Sequence, residues 1–265
     1  MISDVSTISV PAVRPNPLRA FGGVWRLTWQ SFSTRGRLVL LVGMVLLLSL
    51  LSLVRIRHGQ ESDFLPWTVE FYLGFILPVM AFLSGAAALR DEMKSSTADY
   101  VLTRPIRRIH LVIFKYLSHL VCIQLFYLIV LGGLIGLALG IHIPDILSAV
   151  PRLLLAQFTA LTCFSGLGFL FGVLTERYLI LGILYAGAVE MAIGHIPTQL
   201  NAISMSRQLM TLLHPLNPNA SVFFTGTASA VEVVAALLGY ATIFVGLCAM
   251  VFSRREMIGA AGREA

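Results

Sequence analysis

Six runs of apolar residues, about Leu38–Val54, Val69–Leu89, Leu117–Leu139, Leu153–Leu174, Leu179–Ile196 and Val231–Phe252, decide what this chain can fold into. About 17–25 apolar residues cross a hydrocarbon core of about 30 Å as a helix, and lipid offers the backbone no other partner. The expected fold is an all-α membrane protein with six transmembrane helices. Only 12% of the residues are charged, about half the share of a soluble domain, which points the same way. The first run is short. At about 1.5 Å per residue it just reaches across, so Arg55 and Arg57 are placed to snorkel at its far end.

The residues before the first span carry no signal-peptide pattern: Pro11, Pro15 and Pro17 interrupt them and no apolar run is present. The amino terminus is expected to stay in the compartment of synthesis, and six spans return the carboxyl terminus there. The basic residues agree, because fifteen of the nineteen Lys and Arg side chains fall on that side and only Arg55, Arg57, Arg152 and Arg207 fall outside. By the positive-inside rule both termini are cytoplasmic, in a multi-pass protein of the inner (plasma) membrane. Orientation and contact with anionic membrane lipids account for the net charge of +6, with no need of nucleic acid as a partner. Cys122, Cys163 and Cys248 each fall inside a span, without metal-ligand spacing or a disulfide framework.

The organisation expected is a disordered cytoplasmic tail at 1–16, an interfacial helix at 17–37, a six-helix transmembrane domain at 38–252 and a cytoplasmic tail at 253–265. The interfacial helix rests on spacing. Leu18, Phe21, Trp25, Trp29 and Phe32 fall on one face, with Arg19, Arg26, Gln30, Ser33 and Arg37 opposite. Aromatic rings on one side and arginines on the other suit an amphipathic helix lying in the membrane plane.

Between the fifth and sixth spans, Leu200, Ile203, Leu209, Met210 and Leu213 fit one side of a short helix ended by His214-Pro215. It is too short to span, so it lies at the outer surface or dips in and returns. Small residues recur at every fourth position: Ala81 and Gly85, then Gly132, Gly136 and Gly140, then Gly168 and Gly172. Such stripes let helix backbones approach closely, without saying which helix meets which.

Chemistry is sparse. A phosphate-binding P-loop needs Gly-x-x-x-x-Gly-Lys-Ser/Thr, and neither Lys94 after Met93 nor Lys115 after Phe114 fits. Ser165-Gly166 with His195 is a poor match to an intramembrane serine protease, since Cys163 stands where such sites carry glycine. Met205, Met210 and His214 offer soft ligands of the kind that bind copper, but methionine on an apolar stripe is ordinarily packing. No cofactor or metal is expected, and no enzymatic activity in this chain.

The polar stretch from Arg90 to Arg108 is richer. Ser96 or Thr97 can cap a short helix, Asp99 suits its first turn, and Pro105 stops it. The stub, about two turns from Ala98 to Thr103, carries Tyr100, Val101 and Leu102. Apolar residues ringed by charge make a knob for a partner's groove. A solvated loop whose charges anchor the flanking spans is the plain alternative.

Glu92, Ser96-Thr97, Leu102, the run Arg104-Pro105-Ile106-Arg107-Arg108 and Lys115-Tyr116-Leu117 resemble the inner loop of membrane subunits of ABC-type exporters of the type-two permease class. Ser96 departs from the family's usual glycine. Tyr185 to Pro197, with Glu190 inside it and Ile203-Ser204 after it, is similar to the fifth-span glutamate and turn of one branch of that family. The resemblance implies an interfacial helix, six spans, a short cytoplasmic coupling helix and a segment dipping back between the last two spans. It implies a permease paired with a second copy or a similar subunit. Separate ATPase subunits would dock on Glu92, Thr97, Tyr100, Val101, Leu102, Arg104, Pro105, Arg107 and Arg108. ATP hydrolysis belongs to those partners, and the substrate is left open. A membrane scaffold that moves nothing is the reading from a different class.

Glu190 lies deep in the fifth span, where an ionised carboxylate costs several kcal/mol without a partner. It is either a pathway or gate residue, or one end of a hydrogen bond within the bundle, with His195 or the loop that follows it.

Overall fold

The computed structural model describes residues 17–58, 64–94, 108–193, 202–216 and 229–254, and these are helical apart from short turns. Helix α1 runs Pro17–Phe32 and α2 Arg35–His58. Helix α3 is one continuous run over 64–94, α-helical at Phe64–Trp67, π-helical at Thr68–Ile76 and α-helical again at Leu77–Lys94. Helix α4 is Arg108–Gly140 and α5 is Ile146–Leu174. Helix α6 joins an α-helical half, Tyr178–Tyr185, to a π-helical half, Ala186–Ile193. A short α7, Met205–Leu213, and a long α8, Ala230–Arg254, complete the chain.

Among the described residues four helices are long and apolar enough to cross a membrane: Phe64–Arg90, Ile109–Gly140, Ile146–Leu174 and Ala230–Arg254. Two more apolar stretches, Val39–Val54 in α2 and Tyr178–Ile193 in α6, are shorter. Expected helix boundaries differ at several places, with α3 beginning at Phe64 rather than Val69 and α4 at Arg108 rather than Leu117. The helix over 17–37 breaks after Phe32, and α2 restarts at Arg35. Helix α5 begins at Ile146 rather than at Leu153, with Pro151 inside it. The carbonyl that this proline leaves without a donor is that of Leu147, whose residue is 69% exposed at the helix start.

The bundle has two ends. At one, Phe64, Ala138, Ile143 and Ile146 cluster; at the other, Leu89, Val112, Phe169, Cys248 and Phe252 do. These are the Phe64 end and the Arg90 end. Helix α5 is the hub, buried along nearly its whole length and in contact with α3, α4, α6, α7 and α8.

Helices α3 and α5 run parallel and at closest approach. A Cβ on Gly172 would sit 2.6 Å from the carbonyl oxygen of Ala86, and one on Gly168 would collide with the backbone of Phe82. The stripe Gly168/Gly172 therefore meets α3 at Phe82 and Ala86, and Gly85 of α3 meets the backbone of Ser165 on α5. Gly132, Gly136 and Gly140 have nothing within 4 Å of such an atom, so among the described residues no helix packs closely on that stripe. Buried polar contacts fix the register: Tyr72 Oη donates to Gln157 Oε1 at 2.8 Å, linking α3 to α5, and Tyr116 Oη donates to Thr162 O at 2.7 Å, linking α4 to α5.

Helix α1 lies against α4, with Phe21 edge-on to Phe114 at 5.6 Å and Phe32 tilted on His119 at 5.4 Å. The aromatic stripe of α1 is thus divided. Phe21 and Phe32 meet α4, while Trp25 and Trp29 stack on each other and Trp29 stays 46% exposed.

Candidate functional site

Two places combine charge with burial. The first is at the Arg90 end, where α3 leads into the polar stretch. Thr97, Tyr100, Val101, Leu102, Arg104, Pro105 and Arg107 lie outside the described residues, as does His195. Glu92 falls in the last turns of α3 and Arg108 opens α4, so the backbone flanking the stretch is helical on both sides. Arg90, just before it, is only 7% exposed. Its Nη2 donates to Oε1 of Glu176 in the turn between α5 and α6. That ion pair ties the entry of the polar stretch to the far end of the hub helix, across 86 residues of sequence. Nothing in the local sequence around Glu176 announces it.

The second place surrounds Glu190. Its Oε2 accepts from Ser204 Oγ at 2.6 Å and from the Ser206 N–H at 3.0 Å, while Oε1 accepts from the Met205 N–H at 3.3 Å. Ser204 in turn caps α7, its Oγ accepting from the Arg207 N–H at 3.2 Å. The amino terminus of a helix carries unpaired N–H groups and a partial positive charge, so a carboxylate there satisfies both needs at once. Ser204 and Met205 are buried and Ser206 is half-buried. Met205 is fully buried, its sulfur against Cys163 in the middle of α5. Tyr240 of α8 donates to Ala202 O at 3.1 Å, holding the approach to the cap.

Helix α7 therefore re-enters the bundle from the Phe64 end. Leu209 and Leu213 are fully buried, whereas Ile203, expected on the same apolar side, is 47% exposed. Its insertion coincides with both π-helical stretches, Thr68–Ile76 and Ala186–Ile193, since α7 contacts each of them. In the first, Pro78 cannot donate and would crowd the carbonyl of Gly74; the widened turn instead has the Leu77 N–H donating to Tyr72 O. The space beside Gly74 is taken by the methyl end of Met210. Pro78 is a signal for the first widening that sequence reasoning passed over. No proline marks the second.

No group of three or more His, Cys, Asp or Glu side chains able to hold a metal occurs among the described residues. Met205 and Met210 are spent on packing against Cys163 and Gly74. What the two places can do is mechanical: one links a polar entry point to the hub helix, the other fixes a re-entrant helix by its charged end.

The family model described as ABC-2 family transporter protein matches residues 30–257. No curated protein matches the chain.

Proposed function

We propose, since this chain belongs to the ABC-2 family of transporter proteins, that it is the membrane permease of an ATP-driven exporter-type complex and takes its energy from separate nucleotide-binding subunits. The family match carries this reading, because it runs over 30–257 and so takes in every long apolar helix together with the polar stretch. In this reading Val39–Val54 and Tyr178–Ile193 also span, completing six. For α2 the helix continues to 24 residues, about 36 Å, long enough to cross the hydrocarbon core. Helix α1 lies at the membrane surface, its exposed Trp29 and Leu27 turned to lipid. The bare apolar faces of α2 and α6, with Val39, Leu46, Ile180 and Ile183 each more than half exposed, are covered by lipid or by a second permease subunit.

The ATPase subunits dock on residues 92–108 from the cytoplasm. Force applied there enters α3, and the close α3–α5 contact and the Arg90–Glu176 pair make α3 and α5 move as one body. Because α7 and α8 rest on α5, the displacement reaches the Phe64 end, on the outer side, where it opens an export path or is passed on as force.

Orientation is the premise most easily tested. The native cysteines are buried, and in a cysteine-free background a cysteine at Ser96 is expected to stay unlabelled by an impermeant thiol reagent in whole cells. One at Asn217 is expected to react. Labelling at Ser96 from outside would put the polar stretch out of reach of a cytoplasmic ATPase and end this reading.

A further inference from the structure

Apart from these two places, a cavity of about 670 Å³ lies between α1, α2, α3, α4 and the start of α6. That size is inside the range of about 300–1,000 Å³ typical of ligand pockets. It follows α4 from Lys115 at the Arg90 end to Phe126, eleven residues or about 16 Å of helix axis. Half of a hydrocarbon core of about 30 Å is about 15 Å, so the cavity is as deep as one leaflet.

The mouth is apolar. The exposed residues of the lining are Ser31 and three leucines, Leu27 of α1, Leu40 of α2 and Leu179 of α6, each leucine more than half exposed. Leu40 and Leu179 stand at the Arg90 end of the apolar stretches Val39–Val54 and Tyr178–Ile193, so the opening gives onto hydrocarbon rather than water. Inside, the walls are Met80 and Leu83 of α3 with Ile123, Phe126 and Tyr127 of α4. Hydroxyls on the wall are spent on their own helices: Thr28 Oγ1 donates to Val24 O at 2.9 Å and Ser84 Oγ to Ala81 O at 3.1 Å. Lys115 and His119 also border the cavity, and both are engaged within the protein. The His119 ring packs on Phe32 and on Phe169, at 5.4 Å each. What the cavity offers a ligand is therefore depth and apolar surface. Water finds too few polar partners on such walls. A hydrocarbon chain restores the dispersion contacts that the lining forfeits when the space is empty.

We infer that this cavity holds one acyl chain of a phospholipid from the leaflet at the Arg90 end, entering between α1, α2 and α6 and selected by its chain rather than its headgroup. The inference needs the protein to lie in a bilayer but needs no ATPase, so it stands or falls apart from the permease reading. The full chain is reconstituted in phosphatidylcholine vesicles holding a trace of phosphatidylcholine with a diazirine at the end of one acyl chain. After irradiation the labelled residues are mapped by peptide mass spectrometry. Ile123 and Tyr127 are the reporters, because they are 1% and 4% exposed and a chain reaches them only through the cavity. Leu128, 50% exposed on the same helix, reports ordinary contact with the bilayer and shows that a variant remains inserted. Labelling of Ile123 or Tyr127 is expected, at the same ratio to Leu128 when the labelled lipid is phosphatidylglycerol instead. Ala87→Leu and Ser84→Leu fill the cavity from α3, and each is expected to cut that ratio about tenfold while Leu128 stays labelled. Absence of label at both reporters in the wild type, or a ratio unchanged in both variants, would overturn the proposal. A tenfold dependence on the headgroup would overturn it equally, since the site would then be selecting charge.

Discussion

Glu190→Leu is expected to remove most of the folded protein. The substitution keeps the apolar bulk but strands the Met205 and Ser206 N–H groups, which Glu190 accepts from, and the hydroxyl of Ser204. Water is scarce at the depth of Met205, which is fully buried. A stranded buried donor costs about 1–3 kcal/mol, which applies in full to the Met205 N–H and in part to the half-buried Ser206 N–H. Against a total stability of about 5–15 kcal/mol that is a large share. Glu190→Gln retains one good acceptor oxygen and gives up the attraction between a carboxylate and a helix terminus, about 1–2 kcal/mol. Monodisperse yield and thermal unfolding in detergent separate the two. The order expected is wild type, then Gln slightly lower, then Leu far lower. Leu equal to wild type would mean that α7 does not depend on this cap. A Gln variant with normal stability but altered transport would instead give Glu190 a role in the pathway.

Gly168→Leu is expected to be comparably severe for a different reason. Its first added carbon would fall on the backbone of Phe82 and within 2.9 Å of the Ala86 amide nitrogen. Backbone cannot rotate aside as a side chain can, so α3 and α5 must separate along their closest contact. Overpacking ordinarily costs about 1–3 kcal/mol, and a collision with two backbone positions places this case at or beyond the upper end. Gly132→Leu is the control, since nothing lies within 4 Å of the added atom. A fall in unfolding temperature of Gly168→Leu with little change in Gly132→Leu is the expected pattern. Equal effects would contradict the α3–α5 packing.

The contrast between those two glycines marks how far sequence reaches. Both belong to stripes of small residues and are indistinguishable by spacing. Which stripe is filled depends on α3 and α5 coming together with α4 running back beside them, a tertiary fact. The long apolar helices were legible because hydrocarbon thickness sets their length directly. The depth of α7 was not. A nine-residue amphipathic helix can lie on a surface or enter a bundle, and the choice depends on whether its amino terminus finds acceptors inside. Glu190 was legible as one end of a hydrogen bond within the bundle, with His195 or the loop that follows it, but that it would meet Ser204 and the first N–H groups of α7 across fourteen residues was not. The Arg90–Glu176 pair was hidden for the same reason: Arg90 is followed by Asp91 and Glu92, and Glu176 by Arg177, so both look like ordinary wet charges at span ends.

The central claim is that this permease is driven by an ATPase held on the polar stretch. It is tested most directly by purifying the full tagged chain from its native membrane and measuring the ATP hydrolysis that accompanies it. The wild-type chain is expected to bring down a soluble P-loop subunit and its activity. The double substitution Tyr100→Asp with Leu102→Asp should insert normally and lose both, because burying two carboxylates in an apolar groove costs several kcal/mol, enough to lose a micromolar contact. Absence of any ATP-hydrolysing partner from the wild-type preparation, or its full retention by the double variant, would contradict the account.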